Sequence, residues 1–314
     1  MSVVQKISGI FISNRRELRS GWRILSYIVL AVVLEISLHW LYSPAARRFS
    51  TTTSSDLILE YLLLGTSVFL AAFFMLRFVD RRPFSALGFP LHGRIWREIR
   101  QGISQGVVMA SIIFLVEWGG GRVTVSWSRW DIPALLTSSG YYLLLFTSAA
   151  VFEEAVARGY IFQSLIQGTG KLAAVCITSL FFGLGHVANP HAGVLGITNT
   201  VLAGVWLSVA YLRTRSLWLP TALHMSWNLI LGFVCGYPVS GVPVPETIVR
   251  LSDHGPVWLT GGQYGPEAGA VATLVLVPAT LYLYRSDRFR SSENAVALWS
   301  TNVQEVRRAE SLGS

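Results

Sequence analysis

Runs of about twenty apolar residues recur along this chain, near Ile24 to Tyr42, Leu57 to Leu76, Gly102 to Trp118, Tyr141 to Ile166, Leu172 to Val187, Val194 to Leu212, Leu217 to Gly236 and Gly265 to Tyr284. A hydrocarbon core of ~30 Å takes about 20 helical residues per crossing. In lipid, a backbone satisfies its polar groups only inside helices or closed barrels, and runs of this length are helices. The expected fold is therefore all-α: a polytopic transmembrane helix bundle with about eight crossings. The fifth run is short and the third contains glycines, so seven is the competing count. Composition agrees, since 52% of the 314 residues are hydrophobic and only 13% are charged, where a soluble domain carries about 25%.

Orientation is read from Lys and Arg in the short loops. Of the 25 basic residues, 19 fall on one set of helix ends, including Arg15, Arg16, Arg19, Arg23, Arg77, Arg81, Arg82, Lys171, Arg213 and Arg285. Five, Arg47, Arg48, Arg122, Arg129 and Arg250, fall on the other, and Arg158 lies inside a run. This asymmetry puts both termini in the cytoplasm and favours an even number of crossings. The first run follows four arginines at full length, so it is expected to stay as an anchor. The net charge of +8 is scattered between apolar runs, which argues against a nucleic-acid partner and for membrane lipids.

The expected divisions are a cytoplasmic segment 1–23; helices one to three over 24–136, with a basic cytoplasmic loop 77–100 lying along the interface; a core over 137–236; an outer loop 237–264, either lid or linker; a last helix 265–284; and a cytoplasmic tail 285–314. Cys176 and Cys235 fall in or beside apolar runs and read as small buried hydrophobes. Among other polar residues, Glu35 and His39 are expected to hydrogen-bond across helices, Glu60 and Glu117 to be interfacial, and His191 to be a loop residue.

Ionisable groups inside apolar runs are costly and mark functional sites. Here they are Glu153, Glu154 and Arg158 in the fourth run, His186 at the end of the fifth, and His224 with Asn228 in the seventh. Residues four apart share a helix face, so Glu154 can pair with Arg158 while Glu153 points about 100° away. That division suits Glu153 as general base, with Glu154 and Arg158 as its support. A buried ion pair that merely fixes packing explains Glu154 and Arg158 but leaves Glu153 without a role. His224 and Asn228 also share a face, and an imidazole with a carboxamide can donate to a developing oxyanion. At ~1.5 Å per residue, Glu153 and His186 lie roughly 20 Å from their cytoplasmic ends, and His224 and Asn228 about 12 and 18 Å from theirs. All four come out near mid-bilayer.

The three pieces, Glu153-Glu154-Ala-Val-Ala-Arg158-Gly159, Phe182-Gly-Leu-Gly-His186 and His224-Met-Ser-Trp-Asn228, resemble the motifs of the CPBP family, the CAAX prenyl protease and bacteriocin-processing (Abi) group of intramembrane proteases. The resemblance spans about Tyr141 to Gly236 with its motifs in the family's order. It implies that Glu153 is the essential glutamate, that Glu154 and Arg158 complete the first motif, and that His186, His224 and Asn228 carry the second and third. It also implies an endopeptidase acting on a peptide or prenylated-protein substrate in a prokaryotic cell membrane. No cofactor is required by this reading. A metal variant stays open, in which His186 and His224 with a carboxylate or Asn228 hold Zn²⁺, although no His-Glu-x-x-His helix is present. Two other classes compete: a non-enzymatic immunity or scaffold protein retaining the fold, and a proton-coupled transporter, which should show internal pseudo-symmetry that the sequence lacks.

Overall fold

A computed structural model describes residues 18–49 and 53–292, together with 295 and 298. The first seventeen residues and most of the tail, including Arg307 and Arg308, lie outside the described residues, as do the side chains of Arg47 and Arg48. The chain divides into two compact units. One comprises 1–92, 151–174 and 292–314, the other 93–150 and 175–291.

In the first unit, helices α1 (Ser20–Phe49) and α2 (Thr53–Phe74) pack together, and α2 runs on through a π-helical turn, Met75–Val79. Ala71 and Ala72 are fully buried with Tyr27, Val68, Met75 and Leu76. Small residues let helices approach closely where water supplies no driving force. The opposite side of α1 turns Leu25, Val29, Val32, Ile36 and Trp40 outward, a face suited to lipid. Arg23, a topology determinant by sequence, is buried: it donates to Asp80 Oδ1 at 2.8 Å and to Gln167 Oε1 at 2.6 Å. The interfacial loop is anchored as well, because Ala86 and Leu87 are buried and their carbonyls accept from Gln163 Nε2 at 2.8 and 3.1 Å. Glu35 and His39 do not reach across helices. They pair with each other along α1 at 3.4 Å, since four-residue spacing already puts them side by side.

In the second unit, α3 (Ile95–Gly119) packs along α8 (Trp218–Leu229), with α6 (Lys171–Gly185), α7 (Val194–Thr214) and α10 (Ala270–Arg285) completing the helical set. Between the two units in sequence runs one long helical stretch, Ile132–Thr169, made of α4 (Ile132–Glu154), a π-helical turn (Ala155–Gly159) and α5 (Tyr160–Thr169). Gly102 and Gly106 set the α3–α8 contact. A Cβ on Gly102 would lie 2.6 Å from Ala222 Cβ, and one on Gly106 would lie 2.1 Å from Ser226 Oγ. The apolar core of this unit includes Met109, Ile113, Trp206, Leu207, Leu219, Leu223, Leu231 and Leu276.

Each of the eight apolar runs is helical, wholly or over most of its length. Among the described residues, five helices are long and apolar enough to cross a membrane; Lys171–Gly185 and Ala270–Arg285 are shorter apolar helices, and α8 is followed by a π-helical turn, Ile230–Val234. The fold departs from all-α in a two-stranded sheet. Strand β1 (Val123–Trp127) pairs antiparallel with β2 (Val249–Asp253), Val123 opposite Asp253 and Trp127 opposite Val249. Its signal, five residues of near-alternating Val-Thr-Val-Ser-Trp, is too short to stand out beside twenty-residue runs.

The outer loop is folded. It supplies β2 and a short helix, α9 (Val257–Thr260), and Glu246 N donates to the Tyr142 hydroxyl at 3.3 Å. Glu117 is not interfacial: it is 1% exposed and accepts from the Tyr237 hydroxyl at 2.8 Å. Burial, and then the Glu117 carboxylate, push the Tyr237 phenol upward, so it remains a donor throughout the neutral range.

Candidate active site

The first motif lies in the first unit, where α4 passes into its π-helical turn. Glu154 and Arg158 are fully buried, and Arg158 Nη1 donates to Glu154 Oε1 at 2.9 Å. Two charges in such a setting hold together because each compensates the other's lost hydration. Glu153 is half-buried and is not the partner in that bond. The π-helical turn at Ala155–Gly159 inserts an extra residue into the helix immediately after the two glutamates, a feature common at functional sites. Gly159 closes it against Leu87, whose Cδ1 would lie 2.9 Å from an added Cβ.

The second and third motifs lie in the second unit and line one cavity. His186 and Phe182 reach it from the C-terminal end of α6, and His224, Trp227 and Asn228 from α8. It measures ≈ 40 Å³, room for about three ordered waters. His224 and Asn228 are each 8% exposed.

His186 is set by how α6 ends. The backbone tightens there, His186 N bonding to Gly183 O, and the Phe182 carbonyl accepts from the imidazole Nδ1–H at 2.7 Å. A carbonyl can only accept, so this bond assigns the proton of the neutral ring to Nδ1 and leaves the lone pair on Nε2. The Phe182 ring stands beside both imidazoles, its centroid 5.0 Å from that of His186 and 6.1 Å from that of His224. Asn228 is held by the packing of α8, where Trp227 lies against Trp206 at 5.9 Å. Pro220 sits in the first turn of α8, where a missing N–H costs nothing.

The structure thus brings His186, His224 and Asn228 together in one unit, and Glu153, Glu154 and Arg158 together in the other. Sequence reasoning missed the polar residues Asn199, Thr200, Ser240 and Glu267 of the cavity wall. Glu267 had a readable signal as the sole acidic residue between Asp253 and Asp287, set in a Gly-Pro-Glu turn just before the last apolar run. Asn199 had a weaker one as an amide inside an apolar run.

Among the described residues, no group of three His, Cys, Asp or Glu side chains is placed to hold a metal ion, whereas a catalytic zinc takes three protein ligands. By these residue types the donors do not fit a catalytic zinc.

These features define the class: a helical integral membrane protein whose apolar segments carry a buried acid–base cluster and a histidine-lined cavity. Residues 135–230 match the family described as type II CAAX prenyl endopeptidase Rce1-like, a segment similar to the CAAX prenyl proteases. The match contains all three motifs and leaves the segments before 135 and after 230 outside it. No curated protein and no solved structure matches the chain.

Proposed function

We propose that the protein is an intramembrane endopeptidase that hydrolyses a peptide bond of a membrane-associated substrate of the prenylated CAAX type. The observation that carries this reading is the shared cavity of His186, His224 and Asn228, sized for a few waters. The family description supports the substrate class.

In this mechanism Glu153 takes a proton from a water, and the water oxygen attacks the scissile carbonyl carbon. The carbonyl electrons move to oxygen, which accepts hydrogen bonds from a His224 ring N–H and from Asn228 Nδ2. The tetrahedral intermediate then expels the amine, which takes the proton from Glu153; the new carboxylic acid gives up its own proton to the amine, and the products are a carboxylate and an ammonium. Glu154 and Arg158 act on Glu153 by fixing the turn that carries it.

The test is cleavage of a quenched, farnesylated CAAX peptide by the purified protein. Glu153→Gln is expected to lower turnover by about 10²–10⁴-fold, the range of a lost general base, and Asn228→Ala by about 10²–10³-fold, the range of a lost oxyanion donor. A chelator should leave the wild-type rate unchanged. Turnover indifferent to Glu153→Gln would move the reading to a non-enzymatic scaffold, and chelator inhibition reversed by zinc would restore the metal variant.

A further inference from the structure

The cavity wall contains a carboxylate that the mechanism above does not use. Glu267 enters from the turn before α10, outside the segment that matches the family. Its Oε1 accepts from the Trp227 indole N–H at 3.0 Å, and its Oε2 accepts from the Ser240 backbone N–H at 2.6 Å and the Ser240 hydroxyl at 2.8 Å. An indole and a peptide N–H can only donate, so both oxygens must accept at once. A carboxylate meets that demand; an amide would turn its NH₂ towards one of the donors.

Both groups so joined are neighbours of the proposed machinery. Trp227 precedes Asn228 and lies three residues after His224. Ser240 forms a tight turn with Gly241, both at positive φ (48° and 84°), between the bridged residues Val239 and Val242. The Ser240 carbonyl accepts from Asn189 Nδ2 at 2.9 Å, and Asn189 N bonds in turn to His186 O at 3.1 Å. A Cβ on Gly241 would lie 2.0 Å from the Pro190 carbonyl oxygen, so the turn rests directly on the chain just past His186. The Glu267 backbone is held from the other side. Asn199 Nδ2 donates to the carbonyls of Glu267 and Gly269 at 2.8 and 2.9 Å, while its Oδ1 accepts from Thr273 at 2.7 Å.

We propose that Glu267 is a positioning residue of this site: its carboxylate ties the Trp227 indole to the Ser240–Gly241 turn and so fixes the helix bearing His224 and Asn228 relative to the segment that follows His186. The proposal rests on the hydrolytic reading of the cavity. It predicts an effect on the chemical step and none on substrate binding, because Glu267 spends its acceptors on the protein.

The experiment uses the full chain in nanodiscs with ¹⁵N-labelled indoles, the Trp227 resonance being assigned by Trp227→Phe. Glu267→Gln is nearly isosteric. It is expected to move the Trp227 indole N–H signal upfield and to lower kcat by about 10–100-fold, the usual cost of losing an outer supporting bond, with KM within about twofold. Ser240→Ala, which keeps the backbone N–H, should lower kcat less. An unmoved indole signal in Glu267→Gln would overturn the proposal whatever the activity. A moved signal with kcat near wild type would overturn the positioning role, as would a raised KM at constant kcat, which would put Glu267 on the substrate. If Glu267→Gln fails to fold, Trp227→Phe removes one of the same bonds from the other side, and an unchanged kcat there overturns the proposal. A wild-type protein without turnover on any peptide refutes the hydrolytic reading and the positioning role with it, while the indole signal still reports the bond by itself.

Discussion

The buried pair of Glu154 and Arg158 shows what a single residue can be asked to do inside an apolar helix. Each charge is stabilised by the other at 2.9 Å. Arg158→Ala is therefore expected to cost about 3–5 kcal/mol, since it removes the cation from beside a buried carboxylate. The double replacement Glu154→Gln with Arg158→Met should recover much of that loss. Chemical unfolding in detergent measures both, and an Arg158→Ala protein as stable as wild type would show that the pair is not sealed from water. This pair was legible because four-residue spacing on a helix leaves little choice of partner. Arg23 and Glu117 were not: one reads as a topology marker and the other as an interfacial acid, yet each is buried by partners far away in sequence, Asp80 with Gln167 and Tyr237. Such long-range pairing leaves no periodic trace.

At the level of elements, α3 and α8 meet where Gly102 and Gly106 remove two side chains from the contact. Gly106→Leu should overpack the crossing by about 1–3 kcal/mol and, by displacing the helix that carries His224 and Asn228, reduce turnover as well. Gly140→Ala in α4, where an added Cβ meets nothing within 4 Å, is the control and should be neutral or slightly stabilising. Equal effects at both positions would remove the argument from close packing; thermal unfolding with parallel activity decides it. The helices were visible in the sequence because lipid leaves no alternative to them. The π-helical turns were not, because one inserted residue hardly changes an apolar run, and the β1–β2 pair was hidden by its shortness and by the long stretch that separates its strands.

For the whole molecule, the basic residues give an orientation that can be measured without any assay of activity. Alkaline phosphatase fused within the folded segment 237–264 should be active, and a fluorescent protein fused near residue 290 should mature. The opposite pattern would invert the assigned orientation. Between the extremes of charge and apolarity, the order of the three motifs singled out the residues proposed for the chemistry, and of these His186, His224 and Asn228 line one cavity. What supports the cavity wall came from residues beyond the motifs, Asn199 and Glu267, whose importance depends on geometry that no spacing encodes.

Because the main-chain oxygen of Phe182 moors the His186 ring at Nδ1, the far nitrogen of that imidazole keeps a fixed bearing on the cavity wall. A side chain tethered to its own helix in this way needs no swinging part within the viscous interior of a membrane.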